Sequence, residues 1–418
     1  MKKYWIPSII LTFLYGVTSI LLLVYSYTQV DLGLTLLNQS IWQRIQTSLQ
    51  YVGYFERPLS TVLYITLLGI LFSLYFTVLY LTKKLRLSTH ALWRIILLVS
   101  VILVFSYPAF SYDLFNHMFT AKSVLLYGKN PYEVSPLMYQ GFEPWLSFMH
   151  WTHVVSVYSP VWIATTLVPY FFGFGYFLFI LWNFKLLLAF CYLLAAWSIE
   201  KIVSEKNKEE GIFALACFAL NPLVIIESLV SAHNDIAMMA FALLSLYLYI
   251  KKEKVCPSYS GLQPVRAKKL IRWVYTDSNV SLRSIYSFAC LALSIAIKFI
   301  TITLLPVFFF RWNRAAALVV SVVTTVGFLI VTKREILPWY FLWVFPFVVT
   351  FSGNKELLVL SIGFSFGLLL RYAPFLYFGN WDGSVAVIKL WVTIIPVILA
   401  CFSIIIQRLR IRKSCVCL

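Results

Sequence analysis

Residues 58–82 read PLSTVLYITLLGILFSLYFTVLYLT, and Lys83, Lys84 and Arg86 follow directly. No side chain in that run carries a charge. A helix rises about 1.5 Å per residue, so a run of this length crosses the ~30 Å of hydrocarbon in a bilayer. Apolar runs of the same kind recur near 5–27, 91–110, 176–199, 211–231, 236–250, 284–298, 299–312, 314–332, 338–351, 356–372 and 385–406. The pattern predicts an all-α polytopic membrane protein with about 12 transmembrane helices, the pair around Lys298 being short enough to form one kinked span.

Composition agrees. The chain is 61% hydrophobic and only 12% charged, against roughly 25% charged in soluble domains. Too few charges remain to coat a surface facing water. The net charge of +18 would suit nucleic acid if it formed one patch, but Lys and Arg gather in the short segments between apolar runs. Such segments are Lys83 to Arg94, Lys201 to Lys208, Lys251 to Arg272, Arg311 with Arg314, and Arg408 to Lys413. That distribution is the positive-inside signature of cytoplasmic loops, which excludes a nucleic-acid partner and leaves membrane lipids as the surroundings. An even number of spans puts both termini in the cytoplasm, and the first helix reads as retained. Cys191, Cys217, Cys290 and Cys401 lie in apolar runs and Cys256, Cys415 and Cys417 in basic segments, so no disulfide framework is expected.

Three regions follow: a two-helix extension over 1–90, a core over 91–350, and C-terminal helices with a basic tail over 351–418. The core holds a large outer loop at 111–157 and a basic inner loop at 251–283. The stretch 158–173 is apolar but short. Counting it as a span would turn the basic run 251–272 outward, so it is expected to dip into the outer interface.

The polar exceptions collect at the outer ends of these runs. Ser111-Tyr112-Asp113-Leu114-Phe115-Asn116-His117 follows a span directly, and helical spacing puts Asp113 and His117 on one face. Asp113 fits two readings, a helix N-cap and a general base beside an apolar wall. Tyr132 sits in the turn Gly128-Lys129-Asn130-Pro131-Tyr132. Asn221-Pro222 opens a segment carrying Glu227 and ending in His233-Asn234-Asp235. A carboxyl at Glu227 needs a partner in the membrane, and Lys185 on the preceding span is the expected one. Lys298 is a lone cation among apolar residues, able to snorkel or to face an anion. Lys333 and Arg334 precede the aromatic pair Trp339-Tyr340, which suits either a membrane belt or a lipid-phosphate site. No nucleotide loop, dinucleotide fingerprint or zinc-spaced Cys/His set is present.

Taken in order, these motifs resemble the GT-C fold polyprenol-phosphate-mannose-dependent mannosyltransferases. The resemblance rests on Tyr112-Asp113, Gly128 to Tyr132, Tyr158-Ser159-Pro160-Val161-Trp162, Asn221-Pro222-Leu223 leading to Ala232-His233-Asn234-Asp235, then Lys298 and Pro338-Trp339-Tyr340, across about residues 100–350. It implies a GT-C bundle with interfacial helices in the first outer loop and an outward-facing active site in a multi-pass protein of the cell membrane. Asp113 would be the catalytic base that deprotonates an acceptor hydroxyl on a glycan or lipid. A polyprenyl-phosphate-linked sugar would be the donor, with inversion at the anomeric carbon. His117, Tyr132, His233, Asn234, Asp235, Trp339 and Tyr340 would line the substrates. Lys298 and one of Lys333 or Arg334 would offset phosphate charge. Some GT-C enzymes use a divalent metal; lipid-monophosphate users commonly need none, so neither metal nor cofactor is expected. His117, Phe148, Trp151 and His153 make the first loop less polar than the family's usual one. A transporter or flippase for a lipid-linked or anionic substrate is the alternative, and a non-catalytic membrane subunit the third.

Overall fold

The charge-free run at 58–82 becomes one unbroken helix, Arg57–Lys83, with Pro58 in its first turn where a missing N–H costs nothing. The computed structural model describes residues 5–84, 86–253, 282–309 and 314–416. The basic inner loop over 254–281, with Cys256, and the basic residue Arg311 lie outside the described residues.

In chain order the helices are α1 (Trp5–Thr28), α2 (Ser40–Tyr54), α3 (Arg57–Lys83), α4 (Thr89–Val104), α5 (Asp113–Leu125) and α6 (Pro160–Phe171). Next come α7 (Phe177–Ser204), α8 (Lys208–Ala219), α9 (Pro222–Ile225), α10 (Asp235–Glu253), α11 (Leu282–Ile297) and α12 (Leu305–Phe309). The last are α13 (Arg314–Thr332), α14 (Phe345–Val349), α15 (Lys355–Leu370), α16 (Tyr372–Phe378) and α17 (Ser384–Val416). No strand occurs among the described residues.

Six helical stretches among the described residues are long and apolar enough to cross a membrane. They are Pro7–Thr28, Arg57–Lys83, Phe177–Ser204, Arg314–Thr332, Lys355–Phe378 and Ser384–Arg410. A seventh is broken: Lys208–Ala219 and Pro222–Val230 meet at 57°. Pro222 removes a ladder donor, and the Asn221 side chain restarts the helix by accepting from the Leu223 N–H at 2.9 Å. The expected spans near 91–110, 236–250, 284–298 and 299–312 appear as shorter apolar helices. The expected run 338–351 splits into a 3-10 turn (Pro338–Trp343) and α14.

The stretch 158–173 forms the 12-residue helix α6, started by Ser159 and Pro160. At about 18 Å it is too short to cross the hydrocarbon alone. Helix α2 is an addition to the two helices expected before residue 90. Its Gln46 and Gln50 are buried and donate to the Leu34 and Val30 carbonyls, while Ile41 and Phe55, just past its end, are exposed.

Val323, Ile330 and Val331 on α13, and Leu399 and Phe402 on α17, are exposed. Apolar faces of that extent belong in lipid. The interior is closed by small residues. A Cβ on Gly367 of α15 would lie 2.2 Å from the Thr393 carbonyl oxygen of α17, so those two backbones touch only because residue 367 is glycine.

Candidate active site

Asp113 is the first residue of α5, and Tyr112 occupies the N-cap without a side-chain cap bond. The carboxylate therefore gains from the helix N-terminus while facing another chain segment. Its Oδ2 lies 3.6 Å from His233 Nδ1, some 120 residues on, and its side chain is 35% exposed. His233 is buried, so the pair joins an accessible acid to an enclosed ring.

The broken span aims that ring. After α9 the backbone widens into a π-turn, Ile226–Val230, a distortion often found at functional sites. Ala232 then takes a left-handed φ of 58°, which costs a non-glycine residue about 1–2 kcal/mol. Glu227 meets His233 at two points, of which the backbone one is a hydrogen bond. Its carbonyl accepts from the His233 N–H at 3.0 Å, and its Oε2 lies 3.4 Å from His233 Nε2. Trp339 stacks on the imidazole with centroids 4.0 Å apart.

Asp235 opens α10 and is buried. Its Oδ1 accepts from Lys298 Nζ at 2.7 Å and from the Trp343 indole N–H. Lys298 is thus partnered by Asp235 and about one-third exposed. Asn234 is buried beside it, and its carbonyl accepts from the Ala237 and Met238 N–H groups.

His117 lies one turn beyond Asp113 and is buried. Trp162 Nε1 donates to its Nδ1 at 2.9 Å, so a proton on this ring sits on Nε2. Burial, with His233 and Lys298 adding to it, pushes the His117 pKa well below its ordinary range. The Tyr158 ring packs 4.1 Å from it.

A family model described as alpha-(1->6)-mannopyranosyltransferase, N-terminal domain, matches residues 13–316. The chain belongs to that mannosyltransferase family. No curated protein and no solved structure matches it. The family assignment supports a mannosyltransferase activity, hence a glycosyltransferase that handles a sugar donor and an acceptor. The matched residues of this mannosyltransferase include Asp113, His117, Tyr132, His233, Asn234, Asp235 and Lys298; Lys333, Arg334, Trp339 and Tyr340 lie beyond them.

Not every expected site residue of the mannosyltransferase joins the cluster. Tyr132 donates to the Tyr158 carbonyl at 2.7 Å, which places it behind the His117 side. Tyr340 is buried against Phe328 and Trp343. Lys333 and Arg334 are exposed, and the bonds they make are backbone ones to Ile330 and Leu329. The expected Glu227–Lys185 pair is replaced by other partners. Lys185 Nζ donates to the Ser106 carbonyl at 2.9 Å, to Ser106 Oγ at 2.5 Å and to the Val230 carbonyl at 3.1 Å. Glu227 Oε1 accepts from the Tyr372 hydroxyl at 3.0 Å. The reason is local: the frayed carbonyls at two helix ends offer an ammonium more acceptors than one carboxyl does.

Sequence reasoning missed Tyr372 and Trp343, and it quoted Trp162 within a motif without giving it a role in the site. Trp343 carries a faint signal, four residues after Trp339; Tyr372 carries none. Among the described residues, no group of three or more His, Cys, Asp or Glu is arranged to hold a metal ion.

Proposed function

We propose that the chain is an inverting membrane mannosyltransferase of GT-C type that uses a polyprenyl-phosphate sugar at the non-cytoplasmic face of the cell membrane. Asp113 takes the proton of an acceptor hydroxyl as that oxygen attacks the anomeric carbon. The bond from that carbon to the phosphate oxygen breaks, its electron pair goes to the phosphate, and polyprenyl phosphate leaves. His233, held by Glu227 and Trp339, orients the Asp113 carboxylate. Buried Asp235, with Trp343, positions the partly exposed Lys298 ammonium to offset the charge that grows on the leaving phosphate.

The observation that supports this most is the approach of Asp113 to His233 at 3.6 Å. Two distant outer motifs meet there, with the exposed member being the acid the chemistry needs. A transport reading has one point in its favour, the broken span at Asn221-Pro222, but transporters break helices in matched pairs. Purified protein in nanodiscs, given radiolabelled polyprenyl-phosphate mannose and a panel of hydroxyl acceptors, separates the two. Release of polyprenyl phosphate with label on an acceptor supports the enzyme. Movement of intact donor between leaflets of proteoliposomes without release overturns it.

A further inference from the structure

A second charged cluster lies beside the first and has no place in the scheme above. Glu335 Oε2 receives Arg371 at 2.9 Å and Lys389 at 2.6 Å. The two cations are unequal to their partner in burial: the Arg371 and Lys389 side chains are 6% and 9% exposed, whereas Glu335 is 57% exposed. Among the described residues, the other contacts of the cations are neutral. Arg371 reaches Thr393 Oγ1 at 3.4 Å, and Lys389 lies 4.9 Å over the Trp381 ring. Two positive charges are thus removed from water against one carboxylate that is itself mostly solvated. One buried positive charge is left over, which is costly in a membrane protein without a further anion.

The geometry also says which partner can move. Arg371 sits between α15 and α16, and Lys389 lies on α17, both packed stems; Glu335 is in the exposed loop after α13. Lys389 and Arg371 hold the Glu335 carboxyl below its usual range, so it stays an anion that an incoming anion must displace. Lys389 and Thr393 share the buried face of α17, whereas Val387, Leu390, Trp391, Ile394 and Ile395 make its opposite, exposed face apolar, so the cations sit behind a helix whose outer surface belongs in lipid. The cluster adjoins the candidate active site through two chain connections. Arg371 precedes Tyr372, which donates to Glu227, and Glu335 is four residues before Trp339, which stacks on His233.

We infer that Arg371 and Lys389 form a binding site for the phosphomonoester headgroup of an isoprenoid lipid, with Glu335 as a built-in stand-in that swings out when the lipid docks. Two cations match a monoester, which carries about −1.5 to −2 near neutrality, better than the singly charged diester of a sugar donor. The site is therefore selective for the spent carrier over the loaded one. This rests on the polyprenyl-phosphate reading.

The test is binding, not turnover, so it is independent of whether Asp113 catalyses transfer. Radiolabelled geranylgeranyl phosphate is titrated against the full chain in nanodiscs, with geranylgeraniol and inorganic phosphate as competitors. Glu335→Gln should bind the lipid phosphate about 2–5-fold tighter, because a competing charge is gone. Lys389→Gln should bind it at least ~10-fold more weakly, and geranylgeraniol should not compete. Competition by inorganic phosphate at equal concentration keeps the phosphate site and overturns its lipid assignment. Unchanged or weaker binding by folded Glu335→Gln overturns the proposal, and that variant decides alone if Lys389→Gln does not fold.

Discussion

Replacing Asp113 by Asn separates catalysis from folding, because the structure gives the side chain different weights in each. Its carboxylate is 35% exposed and lies 3.6 Å from His233 Nδ1, beyond ordinary hydrogen-bond length. A partly solvated contact of that kind contributes about 1 kcal/mol or less, so the variant should unfold within a few degrees of the parent. Turnover is another matter. A positioned general base accelerates its step roughly 10²–10⁴-fold, which corresponds to ~2.7–5.4 kcal/mol of barrier. Asn is nearly isosteric and still faces His233, but it cannot take the acceptor's proton. The assay is single-turnover release of polyprenyl phosphate from nanodisc-embedded protein at saturating donor, alongside thermal unfolding of the same preparation. A folded Asp113→Asn protein that turns over within about threefold of the parent would refute the assignment of the base; the ~100-fold floor of the expected range leaves no overlap.

Other expectations follow from the same geometry. Glu227→Ala strips the Tyr372 hydroxyl of its acceptor inside the bundle, costing about 1–3 kcal/mol, whereas Glu227→Gln keeps that bond; thermal unfolding should rank them parent, Gln, Ala, with a reversed order counting against the described packing. His117 is kept neutral by burial, with His233 and Lys298 in support, so its folded pKa lies below the unfolded value near 6.5. The stability linked to it is complete above about pH 6.5 and falls by ~1.4 kcal/mol per unit of acidification until the folded pKa is reached. Unfolding scans between pH 7.5 and 5 should lose this slope in His117→Gln, and an identical slope in both proteins would exclude the mechanism. Gly367→Val drives a side chain into the Thr393 carbonyl at 2.2 Å and should cost at least about 1–3 kcal/mol by overpacking α15 on α17, measured as loss of monodisperse protein on heating.

Much of the fold was legible because hydrophobic length is read directly from the chain. The runs near 5–27, 58–82 and 314–332 became helices with nearly those limits, while those near 176–199 and 385–406 became helices that run on to Ser204 and Val416. What composition could not supply was how a run breaks. The stretch 338–351 looks continuous, yet Pro338 and Pro346 divide it into short turns that carry Trp339 and Trp343 to the site. Helix α2 escaped notice because it is amphipathic, only 15 residues long, and rich in glutamines that satisfy loop carbonyls, so it is too short and too polar to read as a span. In the site, Asp113, His233, Asp235 and Lys298 were visible as polar exceptions at the ends of apolar runs. Three of their neighbours were not. Trp162, Tyr372 and Trp343 are aromatic residues in a chain that is 18% aromatic, and only tertiary geometry tells such a ring from its neighbours. The mistaken pairing of Lys185 with Glu227 shows the same limit: the sequence shows the two charges but not the direction in which each side chain turns.

Lys185 has a consequence out of proportion to its distance from the chemistry. Its three bonds fasten Ser106, a few residues before Asp113, to Val230, a few residues before His233. The two halves of the site therefore stand on one foundation stone, and neither can tilt without carrying the other. A change there would touch no sugar and no proton, yet would spoil the alignment of both acids at once.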